Sequence, residues 1–167
     1  SIPPWRAASM DGYAVRSQDL QTTPVTLRVT GVAVAGGPRA SAVGAREAVS
    51  IMTGAPVPDG ADTVVRVEDT DAGSESVEIH NVRDAGRNVR PLGEDFRRGD
   101  VLLAAGDHIG AAAIGILASA GFATVPTYRR PTVSIVASGD ELVRVDDFGH
   151  VTSGERIVSS NSYTLPA

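Results

Sequence analysis

Five short segments, at residues 13–15, 25–34, 48–52, 63–67 and 76–82, constrain the first half of the chain most tightly. Each is rich in β-branched residues and bounded by Gly, Pro or Asp. That punctuation leaves no room for a multi-turn amphipathic helix and predicts strands joined by turns. Residues 25–34 (VTLRVTGVAV) alternate apolar and polar over their first half, the period of a half-buried strand, and Gly36-Gly37-Pro38 stops them. With 18 Gly, 10 Pro and only 4% aromatics, the core must be built from Val, Ile, Leu and Ala around many turns. The reading is a compact all-β unit extending to about Pro91.

The pattern changes after that point. Residues 93–106 read as loop with a short strand at 101–103. Asp107 is placed to cap a helix over 108–120, in which Ile109, Ala113, Ile116, Leu117 and Ala120 fall on one face. Gly121 stands where a helix is terminated by a left-handed residue. Residues 122–128 read as a strand and Arg129-Arg130-Pro131 as a linker. The run TVSIVA at 132–137 has the near-continuous apolar character of a buried parallel strand, followed by a sharp turn at Ser138-Gly139-Asp140-Glu141. Residues 144–156 are polar and loop-like, and Ser159-Ser160-Asn161 precedes a helix expected near Ser162. A buried parallel strand needs neighbours in its own sheet, and none follow. The 167 residues are therefore expected to end just inside an α/β domain. No internal repeat is visible.

Composition removes several function classes. Cysteine is absent, which excludes disulfides, a thiol nucleophile and Cys-ligated metal. Lysine is absent as well, all 15 basic residues being Arg, so neither a phosphate-loop lysine nor a Schiff-base lysine comes from this chain. The net charge of −5 with no basic block argues against nucleic acid as a partner. No stretch approaches the roughly 20 apolar residues of a membrane span, and no signal peptide is seen, so the expected location is the cytoplasm. His80, His108 and His150 lack metal-ligand spacing, and no Ser/His/Asp triad signature is present. Arg98-Gly99-Asp100 matches an adhesion tripeptide by chance composition.

Four polar motifs remain. Met10-Asp11-Gly12-Tyr13-Ala14 places an acid beside a Gly and, taken alone, is a turn. In the stretch from Met52-Thr53-Gly54-Ala55-Pro56 to Asp62, a strand runs into a rigid Gly/Pro loop that is expected to leave the Thr53 hydroxyl and nearby N–H groups free for an anion. Gly93-Glu94-Asp95 sets two carboxylates together after Arg90; a solvated loop is the plain alternative. Ser138-Gly139-Asp140-Glu141 lies at the carboxyl end of the expected parallel strand, where open α/β sheets place ligands.

Together and in this order, SMDGYAV (9–15), IMTGAPVPDGADTVVRVED (51–69), GRNVRPLGEDFRRGDVLLAAG (86–106) and SGDELV (138–143) resemble the MoeA family of molybdopterin molybdenumtransferases, which includes the E domain of gephyrin. The chain departs from the family before Met10, where Arg6-Ala7-Ala8 stands in place of a common Asp-Asn-Ser segment. The resemblance implies an α+β architecture. Residues 1–91 would be a β-rich domain of coiled or bifurcated sheets, 92–131 part of a helical connector domain, and 132–167 the truncated start of an α/β molybdopterin-binding domain. It implies insertion of molybdate into adenylylated molybdopterin with release of AMP, by an Mg²⁺-dependent enzyme acting as a homodimer, with a molybdopterin adenylyltransferase upstream. A fragment of this kind would be inactive alone. Asp11, Thr53, Asp95 and Glu141 fall on the family's catalytic positions. Ser138, Gly139 and Asp140 fall on cofactor-binding positions, and Glu141 and Asp95 would be the Mg²⁺ ligands. A non-enzymatic scaffold of the gephyrin type is the alternative, and a tungstate-handling paralogue a third; the presence of all four polar motif residues favours an enzyme.

Overall fold

The short punctuated segments form a mixed sheet, seen in a computed structural model that describes residues 1–166. The chain divides into two units, Ser1–Thr124 and Val125–Ala167. In the first, the strands are β1 (Ala7–Ala8), β2 (Gly12–Val15), β3 (Val25–Ala33), β4 (Glu47–Ile51), β5 (Thr63–Arg66), β6 (Ser76–Ile79) and β7 (Val89–Arg90). Five of them form one sheet in the order β5-β2-β4-β3-β6, while β1 pairs with β7. All pairs are antiparallel except β3–β4.

The burial pattern explains the two kinds of apolar run. β2 is buried at all four positions, with Ala14 in a core on one face of the sheet and Tyr13 and Val15 in a core on the other. β4 and β5 split in the same way, Val49, Ile51 and Val64 to one side, Ala48 and Val65 to the other. Strands covered on both faces need no polar alternation. β3 lies nearer the edge and alternates at Val25, Thr26, Leu27 and Arg28 as its sequence predicts. An extra residue in β3 between Val29 and Val32 shifts its register against β4, the signature of a bulge, and Gly31 lies inside it.

Gly12 is demanded by the sheet itself. Its φ is +157°, and a Cβ built there would lie 1.9 Å from the Val65 carbonyl oxygen on β5. The Asp11-Gly12 pair is thus the entry to a central strand rather than an isolated turn.

Beyond β5 the chain is tied back by charge. Asp84, 2% exposed, accepts from the Arg66 backbone N–H at 3.2 Å and from its Nε and Nη2 at 2.9 Å each. Asp69, also buried, takes a two-pronged pair from Arg83 at 2.6 and 2.7 Å. The Gly86 N–H donates to the buried Thr63 hydroxyl at 2.8 Å. These bonds hold the 81–88 loop against the sheet.

The helix α1 (Ala111–Ser119) is shorter than the predicted 108–120. Asp107 does not cap it; its Oδ2 accepts from the Ala104 N–H at 2.7 Å and closes a tight corner, the local pairing that competes with capping. Gly110 occupies the N-cap position without a side-chain bond. The C-terminus follows expectation: Gly121 has φ +87°, its N–H bonds the Ala118 carbonyl, and the Phe122 N–H reaches back to Leu117. These two bonds form a Schellman cap. The expected one-sided burial is found in weak form: Ala113 is buried and Ile109, Leu117 and Ala120 are half-buried, Ile116 of the predicted face is exposed, and the opposite side is exposed throughout.

Three predicted strands are absent among the described residues: 101–103, 122–128 and 132–137. Val133 and Val136 are 75% and 87% exposed rather than buried. An extended segment becomes a strand only when a neighbour accepts its hydrogen bonds, and these have none. The second unit holds a different parallel pair, β8 (Leu142–Val143) with β9 (Ile157–Val158), joined through a 3-10 turn at Val145–Asp147 and the short helix α2 (Gly149–Thr152). The region read as polar loop thus carries two helical turns. Helix α3 (Asn161–Thr164), with Ser160 at its N-cap position, stands where a helix was expected. The fold is mostly β with few helices, and the expectation of a buried parallel strand at 132–137 is corrected. No helix of the described residues is long and apolar enough to cross a membrane.

Candidate functional site

Asp11 and Thr53 meet because β2 and β4 are antiparallel neighbours, with Gly12 opposite Ile51. One residue beyond that pair, Asp11 leaves β2 as the chain turns after β4. The turn is closed by the Ala55 N–H on the Met52 carbonyl at 3.0 Å, with Gly54 at φ +80°. A turn of this kind needs positive φ at its third position and leaves the N–H of its second residue unpaired. That second residue is Thr53. Asp11 Oδ1 accepts the Thr53 N–H at 2.6 Å and the Thr53 hydroxyl at 2.7 Å. The backbone N–H and, after it, the hydroxyl hold the Asp11 carboxyl below its ordinary 3.8. The expectation that Thr53 offers a free hydroxyl and N–H to an anion is therefore corrected: both are engaged by Asp11.

The amino-terminal segment draws a second motif to the same place. Ala8 exchanges backbone bonds with Ala55 and Gly54, and the Val57 N–H donates to Arg6. On its other side, Ile2 and Pro3 pair with Phe96, Asp95 and Gly93, and Ala7 faces Arg90 across β1–β7. The Trp5 indole N–H donates to the Gly54 carbonyl at 3.2 Å. An open depression of about 330 Å³ results, with Pro3, Trp5, Ala7, Ser9, Thr53 and Arg90 among its lining.

Arg90 organises the acids of the third motif. Its Nε bonds Glu94, and its Nη2 donates to Asp95 at 2.5 Å. The Glu94 bond first, and then the charges of both acids, keep the guanidinium firmly protonated. Asp95 is thus an ion-paired carboxylate rather than a free one.

Ser138, Gly139, Asp140 and Glu141 belong to the second unit and are all exposed. The Leu142 N–H bonds the Gly139 carbonyl at 3.0 Å to close their turn, which leads into β8 instead of following a strand. The Glu141 carbonyl accepts from Ile157 at 2.8 Å, while its carboxylate has no ion-pair partner among the described residues. Among the described residues no group of three or more His, Asp or Glu side chains is arranged to hold a metal ion.

Within the first unit the structure brings together Asp11, Thr53 and the Arg90–Asp95 pair. Two partners escaped the sequence reading. Trp5 belongs to the Pro-Pro-Trp segment, whose rigidity was the available signal. The Arg66–Asp84 pair has no local signal, its members being 18 residues apart.

A family model described as the MoeA N-terminal region (domain I and II) matches residues 1–121. The chain is 36% identical over 166 residues to a molybdopterin molybdenumtransferase of Haemophilus influenzae, covering 99% of this chain and 40% of that protein. It is 35% identical over 185 residues to molybdopterin molybdenumtransferase 1 of Mycobacterium tuberculosis, covering 99% and 43% respectively. The crystal structure of the molybdopterin biosynthesis moeA protein of Pyrococcus horikoshii OT3 superposes with a TM-score of 0.88 at 30% identity, over 98% of this chain and 44% of that one. The chain thus spans about 40% of the length of the curated relatives it matches.

Proposed function

The chain belongs to the MoeA family, and from that premise we propose that it is part of a molybdopterin molybdenumtransferase acting in molybdenum cofactor biosynthesis. The reaction joins molybdate to adenylylated molybdopterin and releases AMP. The observation that carries this reading is the convergence of three of the four family motifs within one unit: Asp11 is locked onto Thr53, and Thr53 and Arg90 line one depression, with Asp95 held by Arg90. A scaffold that only binds partners has no need of this polar arrangement.

In this reading Thr53 and Asp95 of the first unit and Glu141 of the second each contribute to catalysis, Asp11 contributes through Thr53, and Ser138, Gly139 and Asp140 are the backbone that approaches the nucleotide-bearing substrate. Mg²⁺, when bound, supplies charge neutralisation for phosphate and molybdate oxygens and is satisfied by one or two carboxylates with water. Of the two expected ligands, Glu141, whose carboxylate has no ion-pair partner among the described residues, is the readier donor, whereas Asp95 would first have to leave Arg90. The domain division at 91 and 131 belongs to the same proposal, as do a homodimeric parent, an upstream adenylyltransferase and a cytoplasmic location.

Glu141 provides the test, in the full-length parent. Glu141→Gln keeps volume and hydrogen-bonding reach but removes charge. Because the side chain is exposed, stability should change by no more than about 0.5 kcal/mol. The single-turnover insertion rate should fall roughly 100-fold, as when a positioned electrostatic or acid–base group is lost. A wild-type rate, or a loss that tracks a collapsed melting temperature, overturns the assignment. The 167-residue chain alone is expected to show no insertion turnover, measured as AMP release from adenylylated molybdopterin plus molybdate; measurable turnover by the purified chain would refute that.

A further inference from the structure

The hydrogen-bond polarity at Asp11 and Thr53 restricts what this corner can bind. A threonine hydroxyl carries one proton and two lone pairs. Here the hydroxyl donates that proton to a hydrogen bond with Asp11 Oδ1, O···O 2.7 Å, and the same oxygen accepts from the Thr53 N–H at 2.6 Å. Separations this short are typical of hydrogen bonds to an ionised carboxylate. Both residues are exposed, so the free lone pairs of the Thr53 hydroxyl and Asp11 Oδ2 are accessible from solvent. Every remaining hydrogen-bonding site on the two side chains is an acceptor. The nearby guanidinium of Arg90, which lines the same depression, is engaged by Glu94 and Asp95.

We propose that Asp11 is a positioning residue that holds the Thr53 hydroxyl proton inward, so that Thr53 recognises a hydrogen-bond donor of the ligand, an O–H or N–H group, and not a bare oxyanion. This deepens the function proposed above and rests on it for the ligand's identity, but the proton placement stands on geometry alone. The frame that fixes it is rigid. The Met52 N–H is bonded to Ala33, the Gly54 N–H to Ala8 and the Ala55 N–H to Met52, which fixes the backbone of the turn; the hydroxyl proton is then held by its bond to Asp11 Oδ1. The ionised state of Asp11 persists through the neutral range because both bonds from Thr53 depress its proton affinity.

Two measurements test this. The first uses the 167-residue chain itself. Nuclear magnetic resonance during an acid titration should show the Thr53 amide shift following Asp11, with a midpoint below the ordinary carboxylate value of 3.8. The Thr53 amide in Asp11→Asn should not titrate over that range. A Thr53 amide that is insensitive to Asp11 in the wild-type chain overturns the proton placement. The second uses the full-length parent. Thr53→Val removes the hydroxyl and keeps the N–H, and should lower kcat/KM roughly tenfold, the size of one lost hydrogen bond. Thr53→Ser should restore it. If Asp11 acts through Thr53, Asp11→Ala combined with Thr53→Val should be no slower than the slower single variant, and Asp11→Asn, which keeps an acceptor, should be milder than Asp11→Ala. Losses that multiply in the double variant would mean that Asp11 meets the ligand independently and would overturn the positioning role. A parent without insertion activity whose Thr53 amide still follows Asp11 sinks the functional reading and supports the proton placement.

Discussion

Gly12→Ala is expected to destabilise the first unit severely. The added Cβ would stand 1.9 Å from the Val65 carbonyl, with the Val65 carbonyl carbon and the Val67 nitrogen each at 2.9 Å. All three are backbone atoms of the neighbouring strand and its exit, so no side chain can rotate away. Relief requires β2 and β5 to separate, and β2 is buried at every position in the centre of the sheet. The cost is on the order of 4 kcal/mol, the range reserved for overpacking and backbone strain in a core. Gly31→Ala is the matched control, since nothing lies within 4 Å of the Cβ it would add. Urea denaturation of the two variants should show a midpoint far below wild type for Gly12→Ala and one close to wild type for Gly31→Ala. Equal midpoints would show that the β2–β5 contact is not what demands glycine.

The second large effect concerns Asp84. Removing it by Asp84→Ala leaves Arg66 without the carboxylate that meets its N–H, Nε and Nη2. The loss should be about 3 kcal/mol, the low end for breaking a buried pair, because Arg66 itself retains some exposure and a longer contact to Asp69. At roughly 2–4 °C per kcal/mol for a chain of this size, the melting temperature should fall by about 6–12 °C. The same pair predicts a pH dependence with a definite sign. The Arg66 side-chain bonds, foremost, lower the Asp84 pKa from its ordinary 3.8 to about 2. A depressed carboxylate pKa contributes stability that is fully present above the unfolded value and disappears as pH falls through the folded one. Between about pH 5 and pH 2, Asp84 should therefore account for the loss of about 2 kcal/mol. Asp84→Asn should flatten that part of the stability profile. A variant with the wild-type acid profile would assign the acid sensitivity to other carboxylates.

The strands at 13–15, 25–34, 48–52 and 63–67 were legible because their signals are local. Alternation, β-branching and bounding turns act over a few residues, and the sheet uses them with shifts of one or two positions. Gly121 was legible for the same reason, since a left-handed residue after an apolar helix is a one-position signal. Asp107 shows the limit of such signals: an acid before a helix can cap it or bond its own upstream backbone, and the two choices differ little in free energy. Residues 132–137 show another. Their apolar run carries the composition of a buried strand, yet strand formation depends on a partner edge that composition does not specify.

The family, the presence of a β-rich unit with a Gly/Pro-framed Thr53 turn, and the side chains that carry charge into the motifs can all be read from the amino-acid order. Those properties are written in residue type and short spacing. Where the protons and charges go depends on the folded chain: Thr53, 42 residues from Asp11, donates its hydroxyl to it, Asp95 is held by Arg90, and Arg66 meets Asp84. A hydroxyl or carboxylate takes whichever partner the fold brings within 3 Å or so, and strand order and register, not local sequence, determine which groups arrive.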